Sequence, residues 1–238
     1  MTKYECLLFD VDDTLYSHSY GFSNKCSKNI EEYMIQKLGI EESEVSEFNR
    51  VLYKNYGTSM AGLKAVGYDF DNDDYHSFVH GRLPYENLKP DPVLRNLLLS
   101  LPIRKVIFSN ADEIHVAKVL RKLGLEDCFD GIVNFESLNP TNKTTGQELQ
   151  LISMLRMVAH HFFQRLFFDD STRNIECGKS IGLHTVLVGT SRRTKGADYA
   201  LENIHNIREA FPELWDADEI SKNIKCSENV AIETPVTA

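Results

Sequence analysis

Three short stretches of this 238-residue chain end in side chains suited to work on a charged, oxygen-rich substrate. The first is Leu7-Leu8-Phe9-Asp10-Val11-Asp12-Asp13-Thr14-Leu15. An apolar run delivers Asp10 and Asp12 two positions apart, and residues so spaced on an extended chain point the same way. Like charges that close are stable only with a cation or a proton between them. One carboxylate of such a pair can act as nucleophile and metal ligand, and the other as general acid and base. The second stretch is Lys105-Val106-Ile107-Phe108-Ser109-Asn110-Ala111-Asp112. Here Ser109, Asn110 and the backbone N–H groups that follow offer donors for phosphoryl oxygens. The third is Arg165-Leu166-Phe167-Phe168-Asp169-Asp170-Ser171, which again ends in paired carboxylates. Asp10, Asp169 and Asp170 together would form the all-oxygen site that Mg²⁺ prefers. A plainer reading stays open for the first two stretches, since Asp and Ser at strand ends also cap the helix that follows; three such strand ends in chain order on one sheet edge are hard to attribute to accident.

These residues need a sheet to bring them together. Apolar runs suited to buried parallel strands recur at Cys6–Phe9, Lys105–Phe108, Gly131–Phe135, Arg165–Phe168 and His184–Val188. Helical spacing lies between them. Val116, Val119, Leu120 and Leu123 mark one apolar face that stops at Gly124, and Asn174–Ile181 is a second short helix closed by Gly182. Alternation of this kind predicts an α/β fold with a Rossmann-like, doubly wound parallel sheet. The stretch from Tyr16 to Tyr85 breaks the alternation and predicts helices over Asn29–Leu38, Glu44–Tyr56, Ser59–Val66 and Asp73–His80. The expected organisation is a core over residues 1–15 and 87–215, a helical insert over 16–86 that returns through a proline-rich linker, and a disordered tail over 216–238.

Composition narrows the partners. With 42% hydrophobic and 26% charged residues, a packed globule is expected. The net charge of −9 gives no electrostatic reason to hold a nucleic-acid backbone, whereas a small anionic metabolite remains accessible through a metal. The five cysteines form no CxxC pair, so no disulfide framework or zinc site is expected. No run has signal-peptide or membrane length, and the expected location is the cytoplasm, with no membrane partner. Oligomeric state is not legible.

The order of the three stretches resembles the haloacid dehalogenase-type (HAD-like) hydrolase superfamily, whose pattern is DxDxT, a strand ending in Ser or Thr, a lysine, and a strand ending in an acidic pair. Asp10, Asp12 and Thr14 match the first element, Ser109 the second and Asp169-Asp170 the fourth, across about residues 5 to 215. The stretches Asp74-Tyr75-His76-Ser77-Phe78-Val79-His80-Gly81-Arg82-Leu83-Pro84, Leu88-Lys89-Pro90-Asp91 and Phe167-Phe168-Asp169-Asp170-Ser171 look like the pyrimidine 5′-nucleotidase-like branch of plants and fungi. The resemblance implies a Mg²⁺-dependent phosphatase acting on a nucleoside 5′-monophosphate. Asp10 would attack phosphorus to form an aspartyl-phosphate, and Asp12 would protonate the leaving oxygen and then activate water. Mg²⁺ would be held by Asp10, the Asp12 carbonyl oxygen and Asp170, with Asp169 close by. The helical insert would be a C1-type cap over the site. Tyr53, His76, His80 and Arg82 are cap residues able to meet a base or sugar, with packing or a surface position as the alternative for each.

The chain departs from that pattern at the lysine. In place of a Lys-Pro-Ser helix start it has Asn139-Pro140-Thr141-Asn142-Lys143-Thr144-Thr145. Lys143, the lone lysine between Lys122 and Lys179, is the candidate replacement; the alternative is a solvated loop lysine. The stretch from about Gly146 to Gln164 is unusually apolar, with His160-His161 near its end, and reads as a substituted segment that weakens catalysis. A rival function follows, a catalytically impaired relative that binds phosphorylated metabolites or a protein. Dehalogenase chemistry on the same scaffold is disfavoured by Asp12.

Overall fold

The computed structural model describes residues 4–138 and 164–215. Lys143, the His160-His161 pair, nearly all of the 146–164 segment and the 216–238 tail lie outside the described residues. The core is a six-stranded sheet of β1 (Cys6–Phe9), β2 (Arg104–Phe108), β3 (Gly131–Val133), β4 (Arg165–Asp169), β5 (His184–Val188) and β6 (Tyr199–Leu201). All five strand pairings are parallel, in the order β3-β2-β1-β4-β5-β6. The expected doubly wound α/β architecture is therefore what forms.

The sheet explains why its strands are apolar throughout. On β1, Leu7 and Phe9 join one hydrophobic cluster with Ile107, Leu166 and Phe168, while Cys6 and Leu8 join another with Val106, Phe108, Phe167 and Ile175. Both faces are covered, so side chains alternate between two cores instead of between core and water. The Phe9 and Phe168 rings stack 4.7 Å apart and 4° from parallel, locking the two central strands side by side.

Helices α1 (Phe22–Leu38), α2 (Glu42–Tyr56), α3 (Ser59–Ala65) and α4 (Asn72–Val79) all lie between β1 and β2 in the chain. They pack around a core of their own that includes Tyr33, Met34, Leu52, Leu63, Tyr75 and Val79. Their ends follow ordinary capping chemistry: Thr58 accepts from the Ala61 N–H and Asp71 from the Asp74 N–H. Buried Asn29 donates to the Val79 carbonyl at 2.7 Å, tying α1 to α4. Helix α1 starts seven residues earlier than its periodicity predicts, because Phe22 is buried against the main core and Gly21 supplies the left-handed entry turn.

After the insert come α5 (Pro92–Ser100), α6 (Glu113–Leu123), α7 (Phe135–Leu138), α8 (Thr172–Ser180) and α9 (Ile207–Ala210). Two expectations need correction. Phe135 is not the end of a strand; β3 stops at Val133 and Phe135 opens α7. Strand β6 and helix α5 were not anticipated. β6 has only three residues, too few for a period to show. The start of α5 was legible, since Asp91 caps it by accepting from the Leu94 N–H and Pro92 takes the first helical position.

Candidate active site

The strand order reverses between β1 and β4, which is where open α/β sheets form their crevice. The Asp10 N–H donates to the Phe168 carbonyl at 2.9 Å, so Asp10 leaves β1 level with the acidic end of β4. Asp10, Asp169 and Asp170 each place a carboxylate oxygen within 4.8 Å of the others. Thr14 donates to Asp10 Oδ2 at 3.1 Å. Asp169 is anchored from behind, accepting from the Ser171 N–H at 2.7 Å and from Asn174 Nδ2 at 3.0 Å.

Burial and the neighbouring Asp169 and Asp170 push the Asp10 carboxyl well above the usual range. Asp169 is raised by its burial and by Asp170. Asp170 is pushed up to about 7 by burial, Asp13 and Asp12. Three carboxylates that resist ionising together, with oxygen as the sole donor type, fit a hard divalent cation such as Mg²⁺.

Asp12 stands apart from that cluster. Its Oδ1 accepts from His115 Nε2 at 2.8 Å and from the Tyr16 hydroxyl. Desolvation works against its charge, but His115 and Tyr16 outweigh it and hold the Asp12 carboxyl below its ordinary range. Burial likewise opposes a charge on His115, yet Asp12 raises it above the ordinary imidazole value. The remaining aspartate of the first stretch, Asp13, adopts a left-handed φ of 56° and turns its carboxylate to His18 Nδ1 at 2.8 Å and to the Ser23 hydroxyl. Aspartate tolerates this conformation better than most residues.

Capping falls to the last residue of the second and third stretches, Asp112 on α6 and Ser171 on α8, and to Ser17 on the short turn at 18–20, which leaves Asp10, Asp12, Ser109 and Asp170 outside the N-cap positions. Ser109 and Asn110 both line the cavity; Ser109 is almost fully buried and its Oγ accepts from the Ala111 N–H at 3.1 Å.

A cavity of about 590 Å³ opens between the sheet edge and the insert. Asp10, Asp12, Asp13, Ser109, Asn110 and Asp170 line its floor, and Tyr53, Tyr56, Tyr75, His76 and His80 contribute from the insert. Arg82 is not among the lining residues: it pairs with Glu32 at 2.6 Å and lies over the Phe78 ring. Sequence reasoning missed His115, which lines the cavity and is bonded to Asp112 and Tyr85 outside the lining. The signal for His115 was present, because it stands four residues before Val119 and so on the buried stripe of α6. The signal for Tyr16 is the same spacing from Asp12, four residues on.

No protein-family model matches the sequence. Phosphate metabolism protein 8 of Saccharomyces cerevisiae is 27% identical over 228 residues, which cover 89% of this chain and 70% of that protein. The magnesium-bound crystal structure of the HAD-hydrolase YfnB from Bacillus subtilis is similar at a TM-score of 0.55 and 20% identity, covering 88% of this chain and 99% of that one. The L-2-haloacid dehalogenase of Xanthobacter autotrophicus is similar at a TM-score of 0.52 and 13% identity, covering 88% and 98%. The chain has the haloacid dehalogenase-like fold. Within the HAD-like fold the position of the cavity is set by the β1–β4 switch point, and the reaction is argued from the side chains around it. Among the described residues, no helix is long and apolar enough to cross a membrane.

Proposed function

We propose that this HAD-like chain is a Mg²⁺-dependent phosphomonoesterase acting through Asp10, with a pyrimidine nucleoside 5′-monophosphate as substrate. The observation that carries the reading is the division of labour at one crevice. Among the described residues Asp10 sits in a carboxylate cluster with no cation hydrogen-bonded to it, while Asp12, two residues away, is paired with His115. Bound to Asp10, Asp169 and Asp170, Mg²⁺ would offset the charge of the phosphoryl oxygens. Asp10 attacks phosphorus as the ester P–O bond breaks, and Asp12 hands a proton to the departing alcohol oxygen. Asp12 is ionised at rest, so that proton enters with the substrate monoanion, whose second phosphate pKa is about 6. Water then displaces Asp10 from phosphorus and gives a proton back to Asp12. Ser109 and the backbone N–H groups beside Asn110 receive phosphoryl oxygens, and Lys143 is the candidate cation for the same group.

Three features support the substrate class. The cavity is the size of a small-molecule site. Its insert side is aromatic, through Tyr53, Tyr56 and Tyr75, and aromatic faces stack on nucleobases. The yeast relative's name places that protein in phosphate metabolism. The helical insert, in this reading, is a cap that closes over substrate and excludes water. The test is turnover of para-nitrophenyl phosphate with and without Mg²⁺, followed by a screen of nucleoside monophosphates and sugar phosphates. The expected result is Mg²⁺-dependent turnover with uridine and cytidine monophosphates among the better substrates. Their absence would remove the nucleotidase assignment, and no turnover of any ester would leave a binding protein.

A further inference from the structure

His115 is buried at the first turn of α6, yet one of its ring nitrogens reaches the cavity floor. Nε2 lies 2.8 Å from Asp12 Oδ1, and Nδ1 lies 2.7 Å from the Tyr85 hydroxyl. That hydroxyl also lies 3.1 Å from the His80 carbonyl oxygen, which can only accept. Tyr85 has one proton to give. If it donates to His80, it must accept from His115 Nδ1–H. Asp12, as a carboxylate, accepts from Nε2–H. All these bonds are made at once only when His115 carries both ring protons. The ring is clamped further by His80, whose centroid lies 4.7 Å away, and His80 is itself held by Asp112, the residue that caps α6.

The consequence falls on Asp12. His115 and Tyr16 both bind Oδ1, and Oδ2 makes no hydrogen bond to a described residue. Asp12 lines the cavity and its side chain keeps 36% of its surface exposed. Left alone, a carboxylate two residues from Asp10 could swing into the cation cluster. With Oδ1 held from behind, Oδ2 is the oxygen presented to a ligand.

We infer that His115 is a positioning residue for proton transfer to the leaving group: it fixes Asp12 Oδ1, with Tyr16, so that Oδ2 meets the ester oxygen. This rests on the phosphomonoesterase reading and adds to it the residue that aims the acid. Asp12 gives its proton from Oδ2 to the oxygen whose bond to phosphorus breaks, and His115 keeps both of its own. A histidine that merely fills the core would not discriminate between leaving groups. A residue that aims the acid must do so, because a good leaving group departs without a proton.

The test compares kcat/KM for para-nitrophenyl phosphate and phenyl phosphate, two esters of nearly the same shape, in the Mg²⁺-loaded full chain. His115→Gln is expected to lower kcat/KM on the order of a hundredfold for phenyl phosphate and less than about tenfold for the nitrophenyl ester. Equal losses on both esters overturn the inference. In an Asp12→Asn background, His115→Gln is expected to leave the ratio between the esters unchanged, because the two residues act as one unit. A further change in that ratio also overturns it. If His115→Gln does not fold, Tyr85→Phe keeps the ring and removes the partner of Nδ1. A shift of the ratio in the same direction, at least about threefold, supports the inference, and an unchanged ratio overturns it. Failure of the parent chain to hydrolyse either ester with Mg²⁺ defeats the phosphomonoesterase reading itself, and this inference with it.

Discussion

Two groups of aspartates at the sheet edge use the same side chain to opposite ends. At the β1 and β4 termini, Asp10, Asp169 and Asp170 crowd together, and the hydrogen bonds they accept from described side chains come from neutral Thr14 and Asn174. Asp12 and Asp112 instead each meet a histidine, His115 and His80 respectively. The first group is raised toward neutrality and the second is held ionised. Among the described residues, the first half has no hydrogen-bonded cation, and the second is paired with histidines. An aspartate's role is set by what faces it rather than by its residue type.

The most direct way to break this comparison is to remove Asp10, the proposed nucleophile. Asp10→Asn is expected to lower Mg²⁺-dependent phosphatase turnover by at least about a thousandfold, measured as kcat on para-nitrophenyl phosphate. Retained turnover would mean the cluster is not where the chemistry happens.

The next effect is on stability in acid and belongs to the histidine side. His76 is buried on α4, stacked on His80 and edge-on to Phe135. Burial pushes its pKa down to about 4; His80, His115 and Lys64 act in the same direction and Asp112 opposes them. Its folded value lies below the free value of 6.5, so its contribution is complete above pH 6.5 and is lost as the pH falls toward 4. A shift of that size corresponds to about 3 kcal/mol. His76→Gln is expected to flatten the dependence of denaturation midpoint on pH in that window; an unchanged slope would remove His76 from the account.

The carboxylate cluster predicts the opposite slope. Without metal, Asp170 has a folded value of about 7, above its ordinary 3.8. Its contribution is complete below 3.8 and is lost as the pH rises toward 7. In chelator, Asp170→Asn is expected to raise the thermal midpoint at pH 7.5. Mg²⁺ at a hundred times its Kd is expected to stabilise the parent by about 2.7 kcal/mol and the variant by clearly less. Equal metal-induced shifts in the two proteins would take Asp170 out of the ion site.

The smallest effect separates lining from surface on the insert. Arg82 holds an exposed pair with Glu32, a contact worth about 1 kcal/mol or less. Arg82→Ala is expected to leave KM unchanged, whereas Tyr53→Ala, at the cavity wall, is expected to raise it several-fold for a nucleotide. A matching rise in KM for Arg82→Ala would place the substrate on the other side of α4.

The sheet was legible because both of its faces are buried, which makes each strand an apolar run that stops abruptly at a polar residue. Asp10, Ser109 and Asp169 could be named because they are those stopping points. The insert's helices could be counted from their stripes, although the start of α1 was hidden, since Phe22 packs on the other core. β6 was too short to read. His115 escaped because a histidine on an apolar helical stripe looks like packing until its partner is known.

The sequence by itself determined which strands end in acid, in what order, and that a helical segment interrupts them after the first. Local pattern suffices for these, because burial and periodicity act on neighbouring residues. Only the tertiary structure decided that β4 lies beside β1, so that residues some 160 positions apart share one ion-sized space. It also decided that His115 meets Asp12 and that Arg82 turns away from the cavity. Those pairings depend on chain crossovers and on the orientation of whole helices, and no local spacing carries that information.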